Sequence, residues 1–406
     1  MIVNSHSTLK KFEIISKSFF KNHVNSIYFS QNQNQNILFT RVQFHRILNS
    51  PINLNSFSSK SYIKKKFSQP LSLSGKSHIT IQECRFIQCI TNEKYGGGGI
   101  YAYGLKGSLV VSKSMFFDCS SIQRLANGGG ISFCEGKAQL TFEKLCFVQC
   151  SSLSNGHALF LKSSLSNSFI ENLECVDCPS TTYKTQSSTI EHNCMANSSY
   201  INISKCNTQR TPGIKSRIGD LFIKYRYINM ESLNTEKHGY IYEISFNNPN
   251  ITTQIQYWNL NNCTGGFKYI GSYKTSAVVT LKSHVFKQCG TKIIFAISSK
   301  GSSIIMSYFT ADVPIIKDID QGPMELLEFS QVSNPTTNSY NSVMDGLCIY
   351  NTPSFSFEIT PAVVVIFIAF FIIIFIMFVL IGRIAQHYIR ARDMRYTLLS
   401  VPEIVQ

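Results

Sequence analysis

The sequence predicts an all-β fold, a right-handed parallel β-helix of about ten coils, followed by one apolar helix near the C-terminus. Three observations carry this reading. A phrase of the form apolar-x-apolar, four residues, then Phe-x-x-Cys recurs along the chain. Positions counted back from its last residue stay apolar, or stay polar, from one repeat to the next. A long uncharged apolar run, Pro361–Ile381, stands alone beyond the repeats.

The clearest repeats are Ile79–Cys89, Leu109–Cys119 and Leu140–Cys150. With the final Cys as position zero, the column continues through Cys178 and Cys206, then Cys263 and Cys289. One missing unit between Cys206 and Cys263 is supplied by Ile223–Leu233, with Leu233 in the Cys place. Upstream units end at Asn22 and Ile47, the latter parted from Cys89 by a Ser- and Lys-rich insertion, 51–75. Three places before zero stand Phe19, Phe44, Phe86, Phe116, Phe147, Cys175, Ile203, Met230, Leu260 and Phe286, all apolar. Eight places before, from Ile14 and Phe39 to Leu281, only Ser198 is neither apolar nor aromatic. One place before stand Lys21, Arg46, Gln88, Asp118, Gln149, Asp177, Lys205, Ser232, Asn262 and Gln288, all polar or charged.

Apolar-x-apolar is a short strand with one buried face. After a corner the chain returns an apolar side chain to the interior. Each unit is too small to bury its apolar side alone, so the units stack and share a continuous core. At about 4.8 Å between neighbouring strands, ten coils span roughly 45–50 Å. The spacing does not match a leucine-rich repeat, and a β-sandwich would not keep one register over ten units. The glycine runs at Gly96–Gly99 and Gly128–Gly130 lead into strand and lack a following Lys-Ser/Thr, so they are corners and not a phosphate loop.

The expected organisation is a β-helix over 12–310, a connector over 311–360, a membrane-spanning helix over 361–381 and a tail over 382–406. The apolar run would rise about 30 Å, the thickness of a bilayer core. Arg383, Arg390, Arg392 and Arg395 follow it, whereas no Lys or Arg lies between Lys317 and Arg383. By the positive-inside rule the tail is cytoplasmic and the β-helix lies outside, a type I plasma-membrane topology. The first residues, Met1–Lys21, lack an apolar stretch of signal-peptide length. The first coil also begins without a cap, so the expectation is that the natural chain starts upstream. The competing reading is a tail-anchored protein with its bulk in the cytosol.

The net charge of +15 is spread along the chain, without the concentrated patch that nucleic acid requires. A diffuse positive surface would still favour acidic glycans or anionic cell surfaces. Thirteen cysteines are many for a cytosolic protein. The column Cys89, Cys119, Cys150, Cys178, Cys206, Cys263 and Cys289 reads as buried thiols in preference to a disulfide ladder, because stacked side chains point the same way. Cys175 with Cys178, and Cys146 with Cys150, lack the second pair that a zinc site needs. No cofactor is expected. Asp118 and Asp177, two coils apart with Gln149 between, are the best carboxylates for a glycan-cleaving enzyme, but no acidic cluster surrounds them, and a non-catalytic chain is the expectation. Asn197, Asn202, Asn250 and Asn262 begin glycosylation sequons. In the tail, Tyr396–Leu399 fits Tyr-x-x-apolar, a pattern resembling sorting signals read by clathrin adaptors.

Phe-x-x-Asn at Phe19–Asn22 and the Gly-Gly-Gly-Ile runs ending at Ile100 and Ile131 resemble the repeats of chlamydial polymorphic outer membrane proteins, surface adhesins of the pectin-lyase-like β-helix kind. The resemblance covers roughly Phe12–Phe309. Cys mostly replaces Asn, and a single apolar helix replaces the family's C-terminal barrel. Both departures are similar to the large β-helix surface proteins of parasitic protists such as trichomonads. What the resemblance implies is a surface-displayed β-helix that contacts host or neighbouring cells. A structural scaffold, without a receptor, is the other non-catalytic expectation.

Overall fold

The computed structural model describes residues 11–23, 28–30, 35–55, 76–92, 96–179, 188–218, 223–235, 239–246, 253–265, 269–274, 278–290, 293–297, 303–317, 324–326, 328–336, 348, 374–375 and 377–386. It divides into two units, 1–349 and 350–406. The first is a parallel β-solenoid of about eight turns, mostly strand, where about ten coils were expected.

Every pairing between coils among the described residues is parallel, and the register follows the repeat apart from shifts at Lys162/Asn167, Ser188/Ile190 and Tyr269/Gly271. Ile81 pairs with Val111 and Val111 with Phe142, while Phe86 pairs with Phe116 and Phe116 with Phe147. The same column continues through Cys175, Ile203, Met230, Leu260 and Phe286 to Ala311. These side chains are buried, as is Leu233 in its substituted Cys place. The aromatic part stacks ring on ring: Phe44 to Phe86 at 5.0 Å, Phe86 to Phe116 at 4.6 Å, Phe116 to Phe147 at 4.8 Å. In-register stacking follows from the parallel ladder, which places equivalent residues one strand spacing apart.

The glycine runs make room for this stack. A Cβ on Gly130 would overlap the Phe147 ring, and one on Gly129 would overlap the carbonyls of His157 and Ser151. A further face of each coil follows the glycines, with Ile100–Tyr103 pairing to Ile131–Cys134 and that to the start of Leu159–Val176.

The first unit differs from its expected register by one residue. Ile15 pairs with Phe39 and Phe20 with Phe44, and Leu48 N–H donates to the His23 carbonyl, so this coil reads Ile15, Phe20, His23. Ile14 and Phe19 are 57% and 49% exposed. The neighbours Phe19 and Phe20 are both apolar, which hides a one-residue slip that moves every side chain to the other face.

At two further places strands pair onto the solenoid where an insertion and a connector were expected. Ile52–Asn55, within the expected insertion, pairs with Ile100–Tyr103; residues 56–75 of that insertion lie outside the described residues. Beyond 310, Ile315–Lys317, Met324–Leu326 and Phe329–Gln331 each pair onto the coil before, inside the expected connector. A disulfide joins Cys146 to Cys348, 202 residues away, with Cα atoms 5.6 Å apart.

In the second unit, Ile374–Phe375 and Met377–Gln386 are helical. The helix runs past the expected end at Ile381. Among the described residues no helix is long and apolar enough to cross a membrane; 361–373 and 376 of the expected span lie outside them. Residues 377–381 are each between 45% and 73% exposed. Successive helical residues advance by about 100°, so these five apolar side chains go round the whole helix.

Candidate functional surface

Two corners of each coil are left-handed, and both explain a column. The polar column one place before zero has φ of 50–57° at Arg46, Gln88, Asp118, Gln149, Asp177, Lys205, Ser232, Asn262 and Gln288, and at Asn22 in the corrected first coil. β-branched residues are the most strained there, so unbranched polar side chains hold a corner that points to water.

The second corner, six places before zero, is Lys17, Arg41, Glu83, Lys113, Lys144 and Asn172, then Tyr200, Tyr227, Tyr257, Ser283 and Tyr308, with φ of 48–58°. A left-handed non-glycine residue costs roughly 1–2 kcal/mol, and a bulky one is uncommon there. Four tyrosines in this place over five coils therefore mark the lower half of the solenoid. Tyr200 stacks on Tyr227 at 4.8 Å and Tyr227 on Tyr257 at 4.9 Å, with planes 9° and 8° apart. Stacking worth about 0.5–1.5 kcal/mol per pair offsets part of the corner strain. The rings are half-buried, and Tyr308 is 54% exposed.

Cations and amides flank these rings. The Arg226 guanidinium donates to Gln254 Oε1 at 3.3 Å. Lys282 Nζ lies over the Tyr308 ring, 5.3 Å from its centre. On the other side of the corner Asn229 Nδ2 donates to Asn202 Oδ1 at 2.9 Å. Sequence reasoning missed this surface. Its column is outward, so it carries no apolar pattern, and only the coil register brings the tyrosines together.

The expected site residues fall as follows. All seven column cysteines are buried free thiols. Each is a hydrogen-bonding bridge between coils: the Cys119 thiol donates to the Phe86 carbonyl at 3.3 Å, Cys150 to Phe116 at 3.4 Å, Cys263 to Met230 at 3.3 Å. Cys178 Sγ also accepts from the Cys150 N–H at 3.3 Å. Burial pushes the Cys150 and Cys178 thiols well up, away from the reactive thiolate. Cys175 lies in the interior stack, and Cys146 is in the disulfide. Among the described residues no His, Cys, Asp and Glu group could hold a metal ion.

Asp118 and Asp177 are not brought together. Each carboxylate accepts from the glutamine one coil earlier, Gln88 and Gln149, at 3.3 Å. Burial raises the Asp118 carboxyl pKa. Asn197 and Asn262 are exposed, Asn202 is half-buried in its amide pair, and Asn250, Tyr396 and Leu399 lie outside the described residues.

A charged row absent from the sequence reading lies on the glycine-following face. Glu191 pairs with Lys215 and Lys215 with Glu243 across adjacent strands. Lys215 Nζ is 3.3 Å from Glu191 Oε2, with both side chains about 5% exposed. Asn193 Nδ2 donates to Glu191 Oε1 at 3.1 Å, and Arg210 Nε is 3.8 Å from Glu243. Burying charges costs several kcal/mol unless they stay paired. Lys215→Met should therefore destabilise the chain by about 3–5 kcal/mol, and adding Glu191→Gln should recover most of it. Denaturant midpoints of the two variants measure this; equal midpoints would show that the pair is not coupled.

The chain matches no protein-family model, no curated protein and no solved structure.

Proposed function

We propose that the chain is a non-catalytic, single-pass type I surface protein that displays its β-solenoid outside the cell for adhesion or surface interaction. The observation that carries the reading is the Cys146–Cys348 disulfide. Disulfides persist in oxidising compartments and are rare in the cytosol. Both cysteines precede the apolar helix in the sequence, so the disulfide supports oxidising surroundings for the solenoid.

Two further observations support it. Residues 377–381 of the C-terminal helix present apolar side chains all round, which suits lipid and not water. Arg383, Arg390, Arg392 and Arg395 follow the apolar run Pro361–Ile381, and no Lys or Arg lies between Lys317 and Arg383, which favours a cytoplasmic tail. The coil is taken as right-handed because parallel crossovers almost always are. The repeat's likeness to bacterial and protist surface β-helices motivates the adhesive role.

Alkylation of the unfolded chain without reductant should modify eleven cysteines and leave Cys146 and Cys348 unmodified, as read by peptide mass spectrometry. Modification of both would remove the oxidised-compartment argument. An epitope inserted beside Ser58 should be labelled on intact cells. Labelling only after permeabilisation would support the tail-anchored alternative.

A further inference from the structure

The strands of the phenylalanine stack are apolar on their outward side too. Phe86, Phe116, Phe147 and Cys175 point into the interior, so the alternate residues of the same strands point outward. One outward column reads Ile87, Phe117, Val148 and Val176 in successive coils, and beside it Met115 pairs with Cys146. In the coils that follow, the column turns to Ser204, Glu231, Asn261 and Lys287. The apolar patch is therefore confined to the coils around Cys146. Although outward, Ile87 and Val148 are each 6% exposed and Cys146 is 1% exposed. An apolar patch on an outer face marks a place of interaction.

The disulfide brings a matching segment to it. Cys348, bonded to Cys146, stands in sequence among Val343, Met344, Leu347 and Ile349; of these five, Cys348 alone is among the described residues. Chain order does not explain this meeting. The last strand among the described residues, Phe329–Gln331, lies seven pairings beyond the coil of Cys146. At one strand spacing per coil that is roughly 34 Å, which the chain retraces before residue 348. Cys348 is also the one cysteine of the thirteen that is not buried, and thiolates attack the sulfur they can reach.

We propose that this patch is a docking surface for residues 343–349 of the same chain, fastened by the Cys146–Cys348 disulfide, and that a dithiol reductant releases them. The reductant's thiolate attacks Cys348 Sγ, the S–S bond breaks, and Cys146 leaves as a thiolate that takes up a proton. The second thiol of the reductant then displaces Cys348 and closes the reductant's own disulfide, so the protein gains two electrons and two protons. Release bares the apolar patch and moves the point where the chain leaves the solenoid from Cys146 to the last coil. This deepens the adhesive reading and rests on it for its setting, but the docking itself does not depend on topology.

The test uses the full-length protein in detergent micelles, treated with dithiothreitol without denaturant, alkylated, and read by peptide mass spectrometry. Cys146 and Cys348 should be alkylated and the eleven buried thiols spared. Chymotryptic cleavage at Leu347 or Tyr350 should accelerate about tenfold, because cleavage follows the population of released chain, while Trp258 fluorescence stays that of the folded protein. In a glutathione buffer Phe117→Ser should lower the equilibrium constant for closing the disulfide about tenfold, and Glu231→Ser, in the same column beyond the patch, should not. Val176→Ser is the second variant if Phe117→Ser does not fold. A disulfide that resists dithiothreitol until the chain unfolds overturns the proposal. So does reduction without faster cleavage, or a closing constant that neither patch variant changes. If the purified chain holds Cys146 and Cys348 reduced, oxidised glutathione should close this pair and slow the cleavage. In that case the compartment argument fails and the docking stands, whereas failure to close overturns the docking as well.

Discussion

Phe116→Ala is expected to destabilise the solenoid by about 3–5 kcal/mol, the range for removing a buried phenylalanine. Phe116 lies in the middle of the interior stack, 4.6 Å from Phe86 and 4.8 Å from Phe147, and is fully buried. Its ring also fills the room left by Gly99, where a Cβ would be 2.7 Å from Cδ1. The truncation therefore removes contacts on three sides and leaves two neighbouring rings without a partner between them. Phe116→Leu, which keeps most of the volume, should cost less than half as much.

The loss should be local first, because each coil touches only its neighbours. Backbone exchange should accelerate most in the coils around Cys89, Cys119 and Cys150. Trp258 is the only tryptophan and is buried several coils away, against Tyr242 at 5.0 Å. Its fluorescence should report a smaller shift of the denaturant midpoint than exchange near Phe116 does. A uniform shift at both places would show that the solenoid unfolds as one unit. A loss below about 1 kcal/mol would contradict a tightly packed column.

Acidification should unfold the chain through three histidines. His157, His192 and His284 are fully buried, and burial pushes each pKa down to about 3. His157 Nδ1 accepts from the Ser152 N–H at 3.0 Å, a bond that needs the neutral ring. In the unfolded chain they titrate near the ordinary value of about 6.5. Between pH 6.5 and 3 the unfolded state therefore holds more protons. Stability is complete above that window and falls as pH drops through it, by about 1.4 kcal/mol per pH unit for each histidine. Asp118 and Glu174, whose carboxyls burial raises, act in the opposite direction near and just above the usual carboxylate range, and moderate the fall there. His284 is stacked on Phe309 at 4.7 Å and lies 5.7 Å from Trp258, so His284→Phe continues an aromatic column and removes one titrating group. Its plot of midpoint against pH should be shallower between pH 6 and 5 by about a third. An unchanged slope would mean that His284 does not titrate on unfolding.

The repeat was legible because its cause is local and recurs. A buried Phe or Leu at one place in each coil leaves the same mark in every unit, so strand, corner and interior could be read without coordinates, down to Leu233 in a Cys place. Reading failed where that mark was doubled or faint. Phe19 and Phe20 are both apolar, and only pairing with Phe44 chooses the second. Past Cys289 the column passes through Ala311 and Gln331, too small or too polar to be recognised, although the backbone pairing continues. The polar column was visible, but its reason, a left-handed corner, was not, since φ is not written in a residue's polarity.

The candidate surface depended still more on tertiary structure. Tyr200, Tyr227, Tyr257 and Tyr308 lie in an outward place that no burial constrains, so nothing in the hydrophobic pattern linked them until the coils were stacked. Glu191 and Lys215 carry no mark in the sequence that sets them apart, and they form a buried pair. Cys146 and Cys348 are 202 residues apart, and no periodicity relates them. By itself the sequence determined the interior of this protein, because burial repeats with the coil. Tertiary structure alone decided its exterior, because outward side chains acquire neighbours only when parallel strands bring distant coils within one strand spacing.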